Sequence, residues 1–423
     1  MIMFKFLHAA DIHLDSPLHK LDYYEGAPAE EIRGATRRAL DNLVRTAVAE
    51  EVSFVLIAGD LYDGDWKDYN TGLYFVSQTS KLRDADIPVY IVAGNHDAAS
   101  KITKSLRLPQ NVHLFTSGKP STHRIEDLGV AVHGRSFATP AVRKDLSVDY
   151  PPPLPGYFNI GVLHTCASGR EGHEPYAPCT LEGLRAKGYD YWALGHVHQF
   201  EVLSDHPPVV FSGNIQGRHI RETGPKGCVL VSVDDRGRAE PVFKPLDVIR
   251  WIVADVNAAG VESGYEAVDR TCERITRLVE ENAGVPLVVR VIITGETGAH
   301  SELGADAERW INEIRSAVID SSGERVWIEK VKIRTRLPGA EEPATIADGA
   351  LGELLRLFEE LSSDRTMMNE LADELQDLAK KLPREFKEGA GDIRLEDPEW
   401  LAGVLELVRP MLIRRLVRSG DRL

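Results

Sequence analysis

Five apolar runs in the first half of the chain each stop abruptly at a polar cluster. This pattern limits the possible folds more than any other feature. Phe4–Ala9, Val52–Ala58, Pro88–Ala93, Phe158–Leu163 and Tyr189–Leu194 have the length and continuous hydrophobicity of buried strands. Between them, Glu30–Ala49 and Tyr69–Arg83 carry helical spacing and helix-forming residues. Such alternation predicts an α/β layered domain. Further strands are expected at Val112–Phe115, Val130–His133, Val209–Phe211 and Cys228–Val233. The prolines at 151–153 and 155 read as a surface connection, because the strand rhythm resumes after them.

A length of 423 residues predicts two to four domains. With 43% hydrophobic and 27% charged residues, disorder, collagen-like repeats and a disulfide-stapled mini-protein are excluded. No apolar run approaches the roughly 20 residues that span a bilayer. Met1–Ala10 is too short and too weakly cationic for a signal peptide. Cys166, Cys179, Cys228 and Cys272 form no C-x-x-C pair and read as reduced thiols, so a cytoplasmic location without membrane contact is expected. The formal charge of −15 argues against nucleic-acid binding through the global field. An anionic substrate would need a local cationic feature, and bound metal ions would supply one. Of 14 histidines, only His300 lies beyond His219, so the metal-competent chemistry sits in the first half.

After Pro245 the texture changes. Trp251–Val256, Leu287–Ile293 and Val326–Arg334 read as strands, separated by helical stretches at Gly264–Glu281 and Ser301–Val318. From Ile346 the chain reads as helical. Leu371, Leu375, Leu378 and Leu382 form one stripe, and Leu401, Val404, Leu405, Val408 and Leu412 a second, with Pro410 bending it. The expected domains are 1–248, 249–337 and 338–423.

The polar clusters are Asp11-Ile12-His13, Gly59-Asp60, Gly94-Asn95-His96-Asp97, His164-Thr165 and Gly195-His196-Val197-His198. In open α/β sheets, ligands bind beyond the carboxyl ends of the strands, so clusters there can converge. Side chains two apart share a face while the chain stays extended, so Asp11 with His13, and His196 with His198, could each aim two ligands at one place. Each glycine sits where the backbone must turn sharply or approach a ligand closely. Two aspartates, one asparagine and four histidines are too many for one tetrahedral zinc and suit two ions sharing a carboxylate. Oxygen and imidazole donors without thiolate favour manganese, iron or zinc over magnesium or calcium. Taken singly, each cluster reads as a turn, and His164 as a satisfied core histidine. Their order and their places at strand ends argue together for a site.

That order resembles the calcineurin-like metallophosphoesterase pattern D-x-H, GD, GNH[DE], H, GHxH. Within the superfamily the chain is similar to the SbcD family of DNA-repair exonucleases, in its YhaO-like branch. Ala58–Asp63, the segments at 169–179 (GREGHEPYAPC) and 189–199 (YDYWALGHVHQ), and that at 217–228 (GRHIRETGPKGC) carry the likeness. It is strong over about residues 3–250 and weaker beyond.

The resemblance implies a four-layer β-sandwich flanked by helices, a small α+β capping domain that positions DNA, and a helical C-terminal region. It implies two divalent metal ions, Mn2+ being the expected pair. Asp11, His13 and His198 would hold one, and Asn95, His164 and His196 the other, with Asp60 bridging. His96 would face the scissile phosphate, Asp97 would orient His96, and water would attack phosphorus. Some relatives carry a histidine just after Gly-Asp, where this chain has Asp63 and Asp65, so no extra imidazole is assigned there. Cys166 reads as packing, because the nucleophile is water.

Lys101, Lys104 and Arg107 are candidate phosphate contacts, with a solvated helix face as the plain alternative. Arg218, His219, Arg221 and Lys226, in one loop after the last motif, are better placed to touch a nucleic-acid backbone. The C-terminal helices either pack on their own chain or, as in SbcD relatives, dock on an SMC-like coiled-coil ATPase of the SbcC/YhaN kind. A homodimer is compatible with this. The expected activity is that of a DNA exonuclease or endonuclease. The competitors are hydrolysis of a small phosphodiester or phosphoprotein, and a non-catalytic scaffold for the ATPase. The added segments favour the nuclease over the first, and the intact ligand set speaks against the second.

Overall fold

Alternation of side chains along the central strands builds three stacked layers of core at once. The computed structural model describes residues 2–16, 32, 34–63, 69–99, 107–167, 177–282 and 284–338, with shorter stretches between 353 and 408. The strands are β1 (Ile2–Ala9), β2 (Phe54–Ala58), β3 (Val89–Val92), β4 (Val112–Leu114), β5 (Ser121–Ile125), β6 (Val130–Gly134), β7 (Phe158–His164), β8 (Tyr191–Gly195), β9 (Glu201–Asp205), β10 (Pro208–Phe211), β11 (Gly227–Asp234) and β12 (Ala239–Pro245). They form two six-stranded sheets, ordered β12-β11-β1-β2-β3-β4 and β5-β6-β7-β8-β10-β9. The central pairs β1-β2, β2-β3, β6-β7 and β7-β8 are parallel.

Phe6, Phe54, Leu56, Val92, Ile160 and Tyr191 meet in the core between the sheets. Their neighbours Leu7, Val55, Ile57 and Ile91 point the other way, onto the helix Ala35–Ala49 through Leu40, Leu43 and Val44. Leu163, Trp192 and Leu194 face the outer side of the second sheet, against Leu146, Tyr150 and Leu184. The expected four-layer α/β architecture is therefore present. Strands buried on both faces read as continuous apolar runs, which is why they were visible in the sequence.

A third sheet follows, of β13 (Arg250–Asn257), β14 (Leu287–Glu296) and β15 (Val326–Arg336), all parallel. The helices Gly264–Glu281 and Ala307–Ser322 cover one face through Ile275, Trp310 and Ile314. The helix expected over 301–318 is two, His300–Ala305 and Ala307–Ser322. Asp306 makes the break, its carboxylate accepting from Arg309 N at 3.2 Å as an N-cap. Trp251, Val288 and Ile249 close a seam on Ile32 and Ala35, with Ile220 and Trp327 packed beside it.

The chain divides into two units, Met1–Arg336 and Leu337–Leu423. In the second, Leu371 and Leu375 pack with Met368, Ala372, Leu401 and Leu405, so the two apolar stripes meet each other in part. Leu378 stays exposed. Leu382, Leu412, Pro410 and the basic residues Arg409, Arg414, Arg415, Arg418 and Arg422 lie outside the described residues. No helix among the described residues is long and apolar enough to cross a membrane.

Candidate metal centre

The parallel strands deliver their polar clusters to one end of the sandwich. Asp11 follows β1 and Asp60 follows β2. Asn95 and His96 open a short helix (Asn95–Ala99) after β3, His164 ends β7, and His196 follows β8. Sequence spacing suggested that Asp11 with His13, and His196 with His198, share a face of extended chain. The structure corrects this, because the backbone is left-handed at Asp11 (φ 50°), His13 (φ 44°), Asp60 (φ 52°) and His196 (φ 100°). Such conformations cost roughly 1 kcal/mol or more each, and they cluster where function demands them. Two glycines make the close approach possible. A Cβ on Gly59 would lie 2.3 Å from His164 Nδ1, and one on Gly195 would lie 2.0 Å from the Ala58 carbonyl.

Asp11, His13 and His198 bring ligand atoms within 4.8 Å of one another, as do Asp60, His164 and His196. Nε2 of His13 lies 3.3 Å from Nε2 of His198, and His198 Nε2 lies 3.9 Å from Asp11. On the other side, His164 Nε2 is 3.4 Å from Asp60 and 2.9 Å from Asn95 Oδ1. Asp60 reaches both groups, standing 4.0 Å from His13 Nε2. His96 also approaches His13 and Asp60, but it is the most open member, with 39% of its side chain exposed.

Three of the surrounding hydrogen bonds differ from the sequence reading. The His96 ring pairs through Nδ1 with Asp63 at 2.8 Å, not with Asp97. The Asp97 carboxylate instead accepts from the backbone N–H groups of Leu61, Tyr62 and Gly94 at 2.9–3.1 Å, locking the second motif onto the third. Its place in the first turn after Gly94 aims it back at the β2 loop. Lys226 is buried, and its Nζ donates to the His198 carbonyl at 2.6 Å, so it braces a ligand-bearing loop rather than presenting its charge to solvent. Arg218 donates to Glu222 at 3.0 Å and stands 3.5 Å from Asp63, so its charge is answered inside the protein. Arg221 and Arg107 are exposed, whereas Lys101 and Lys104 lie outside the described residues.

Asp63 and Glu222 escaped the sequence reading as site residues. Glu222 accepts from His198 Nδ1 at 2.7 Å and from Asn214 Nδ2 at 3.0 Å, which leaves the His198 Nε2 lone pair for a cation. His164 Nδ1 likewise donates to the Ala58 carbonyl at 2.9 Å.

Burial dominates the electrostatics. It pushes Asp11 above the usual carboxylate range against the pull of His198 and His164. Burial opposes ionisation of Asp60 too, yet His164 and His13 outweigh it and hold that carboxyl far down. Desolvation, aided by Arg218, drives His13 down to about 3, the neutral form that ligates metals. Burial opposes protonation of His164, but Asp60 and Asp11 carry it up to about 9. Buried carboxylates and imidazoles crowded this closely suit a cation between them, and His13 Nδ1 is buried without a hydrogen bond. The donor set thus fits a pair of divalent ions.

Fold and site together define a metal-dependent phosphoesterase. Residues 4–200 match the calcineurin-like phosphoesterase family, and residues 251–336 match the middle domain of metallophosphoesterase YhaO. The chain is 33% identical over 322 residues to the Bacillus subtilis (strain 168) metallophosphoesterase YhaO, spanning 74% of this chain and 75% of that one. It belongs to the YhaO-like metallophosphoesterases. Among solved structures, a Thermus thermophilus protein matches at 11% identity and TM-score 0.33, covering 58% of this chain and 100% of that one. A dimetal phosphatase from Danio rerio matches at 12% and 0.33, covering 57% and 99%. These structural likenesses are too low to bear on substrate.

Proposed function

We propose that the chain is a dinuclear-metal DNA nuclease of the SbcD/YhaO type, with Mn2+ as its working ion and an SMC-like coiled-coil ATPase as its partner. Asp11, His13 and His198 would hold one ion and Asn95, His164 and His196 the other, with Asp60 between them. Ions bound there would lower the barrier to attack by water and neutralise charge developing on the phosphoryl group. The chain's own contribution centres on His96. Asp63 accepts from Nδ1 and favours the protonated ring, which leaves Nε2–H to donate to the leaving oxygen. Asp97 holds the loop that presents His96, through three backbone hydrogen bonds.

The observation that carries the nuclease reading is the seam between the third sheet and the rim of the site. Trp251 Nε1 donates to the Gly217 carbonyl at 3.0 Å, one residue before Arg218. A second folded element is thereby fixed to the loop bordering the centre, and hydrolysis of a small ester has no use for one. The test is degradation of end-labelled single- and double-stranded DNA with Mn2+, compared with a chromogenic phosphodiester and a phosphopeptide. Cleaved DNA is expected. Rapid hydrolysis of either small substrate with DNA left intact would overturn the reading. For the partner, truncation before Ile346 should abolish ATPase association, and unchanged association would refute docking through the C-terminal helices.

A further inference from the structure

Asp63 and Glu222 stand behind different members of the site, one behind His96 and the other behind His198. They come from distant parts of the chain, yet one side chain reaches both. Arg218 lies in the loop between β10 and β11. Its Nη2 donates to Glu222 Oε1 at 3.0 Å, and its Nη1 stands 3.5 Å from Asp63 Oδ2 and 3.4 Å from Ser16 Oγ. The guanidinium is nearly out of water, with 13% of the side chain exposed. The loop that carries it is tied down twice. Glu222 Oε2 accepts from the Arg218 backbone N–H at 2.8 Å, and Trp251 holds the Gly217 carbonyl.

Satisfying Glu222 does not require this guanidinium. His198 Nδ1, Asn214 Nδ2 and the Arg218 N–H already donate to that carboxylate. Asp63 is the more telling neighbour. Its Oδ1 accepts from His96 Nδ1 at 2.8 Å and lies 3.7 Å from His13 Nδ1, which is buried without a hydrogen bond. Two imidazoles therefore compete for one oxygen. The terminal torsion of an aspartate is soft, so the carboxylate keeps its aim only while its other oxygen is held. Among the described residues, Ser16 Oγ and Arg218 Nη1 are the groups at Oδ2. A planar fork suits this task because it fixes direction as well as charge, whereas a lysine supplies a point charge. Two acids beside the guanidinium also offset its pull on a substrate phosphate, so the fork serves alignment more than attraction.

We propose that Arg218 is a positioning residue that clips Asp63 to Glu222, so that one guanidinium sets the aim of Asp63 at His96 and of Glu222 at His198. It acts through the two carboxylates and not on the substrate. This rests on His96 as the proton donor, and it holds whether the ester cleaved is DNA or a smaller one. The test uses the full chain at saturating Mn2+, with phosphodiesters carrying a phenyl or a p-nitrophenyl leaving group. Arg218→Ala should lower kcat on the phenyl ester about tenfold with KM within about twofold. The loss should be smaller on the p-nitrophenyl ester, whose leaving oxygen departs with little need of a proton. Mn2+ binding, read by titration calorimetry, should weaken about tenfold. These losses should not add to those of the carboxylates. R218A/D63N should keep kcat within about threefold of D63N, and R218A/E222Q should bind Mn2+ within about threefold of E222Q. Arg218→Lys keeps the charge without the fork, so it should restore the thermal midpoint and leave kcat low. Full additivity in both pairs, equal losses on the two esters, or recovery of kcat by Arg218→Lys would overturn the clip. So would a raised KM at unchanged kcat, which would mark a substrate contact instead. Failure of the His96 reading shows separately, as wild-type kcat in His96→Ala on the phenyl ester, while calorimetry still reads the Glu222 arm. Failure of the nuclease reading shows as intact DNA in the Mn2+ assay, whatever these variants do.

Discussion

Asp63 and Asp97 lie on either side of His96, and their hydrogen bonds assign them different work. Removing the Asp97 carboxylate strands three buried backbone N–H donors, so Asp97→Ala should lower stability by at least about 2 kcal/mol in denaturant unfolding. Asp63→Asn should leave metal content near wild type while lowering kcat at constant KM. His96→Ala should cost more, about 10²–10⁴-fold, again with metal retained. Loss of metal from the Asp63 variant would show that this carboxylate is a ligand. Glu222→Gln should weaken divalent-ion binding about 10–100-fold by titration calorimetry, because His198 loses the acceptor that fixes its tautomer. The seven donors were legible because chemistry confines their types to strand ends. Asp63 and Glu222 were not, since an ordinary acid in a loop shows its role only when the fold sets it against a histidine.

At the scale of elements, strands buried on both faces announced themselves, and half-exposed edge strands did not. β5, β9 and β12 were missed because their sequences STHRI, EVLSD and AEPVFKP mix polar residues into every second or third position. The third sheet was legible as strands, but its all-parallel order β13-β14-β15 needed the register to be seen. Glu50 shows how one residue ties elements together, meeting Lys5 of β1 at 3.3 Å and Lys244 of β12 at 2.9 Å. Those lysines hold its carboxyl below the ordinary 4.5. A depressed carboxylate contributes stability that is present above its unfolded pKa and lost as pH falls through the folded value. The stability gap between wild type and Glu50→Gln should therefore be open at pH 7 and narrow as pH falls below the ordinary glutamate range. A gap that did not narrow on acidification would trace the effect to packing. Trp251→Phe should cost about 1 kcal/mol for the lost Gly217 hydrogen bond, and Trp251→Ala about 3–5 kcal/mol for the opened seam.

For the molecule as a whole, the distribution of charge matters more than its sum. The chain carries −15 overall, yet it buries Asp11 and Asp60 together among histidines at the convergence of two sheets. Folding without cations must desolvate both carboxylates in one place, and folding with them converts that cost into ligation. The folded state should therefore bind divalent ions far better than the unfolded chain, and mass action then raises its stability. At an Mn2+ concentration 100 times the dissociation constant the gain is about 2.7 kcal/mol, a rise in thermal midpoint on the order of 5 °C. EDTA should reverse the rise. Asp60→Ala removes the carboxylate that stands 3.4 Å from His164 and 4.0 Å from His13, so its midpoint should not respond to Mn2+, although losing one buried charge can raise its starting value. Scanning calorimetry of the two proteins across a range of Mn2+ decides this. A wild type indifferent to the ion, or a variant that responds equally, would mean that the cluster is not held together by metal.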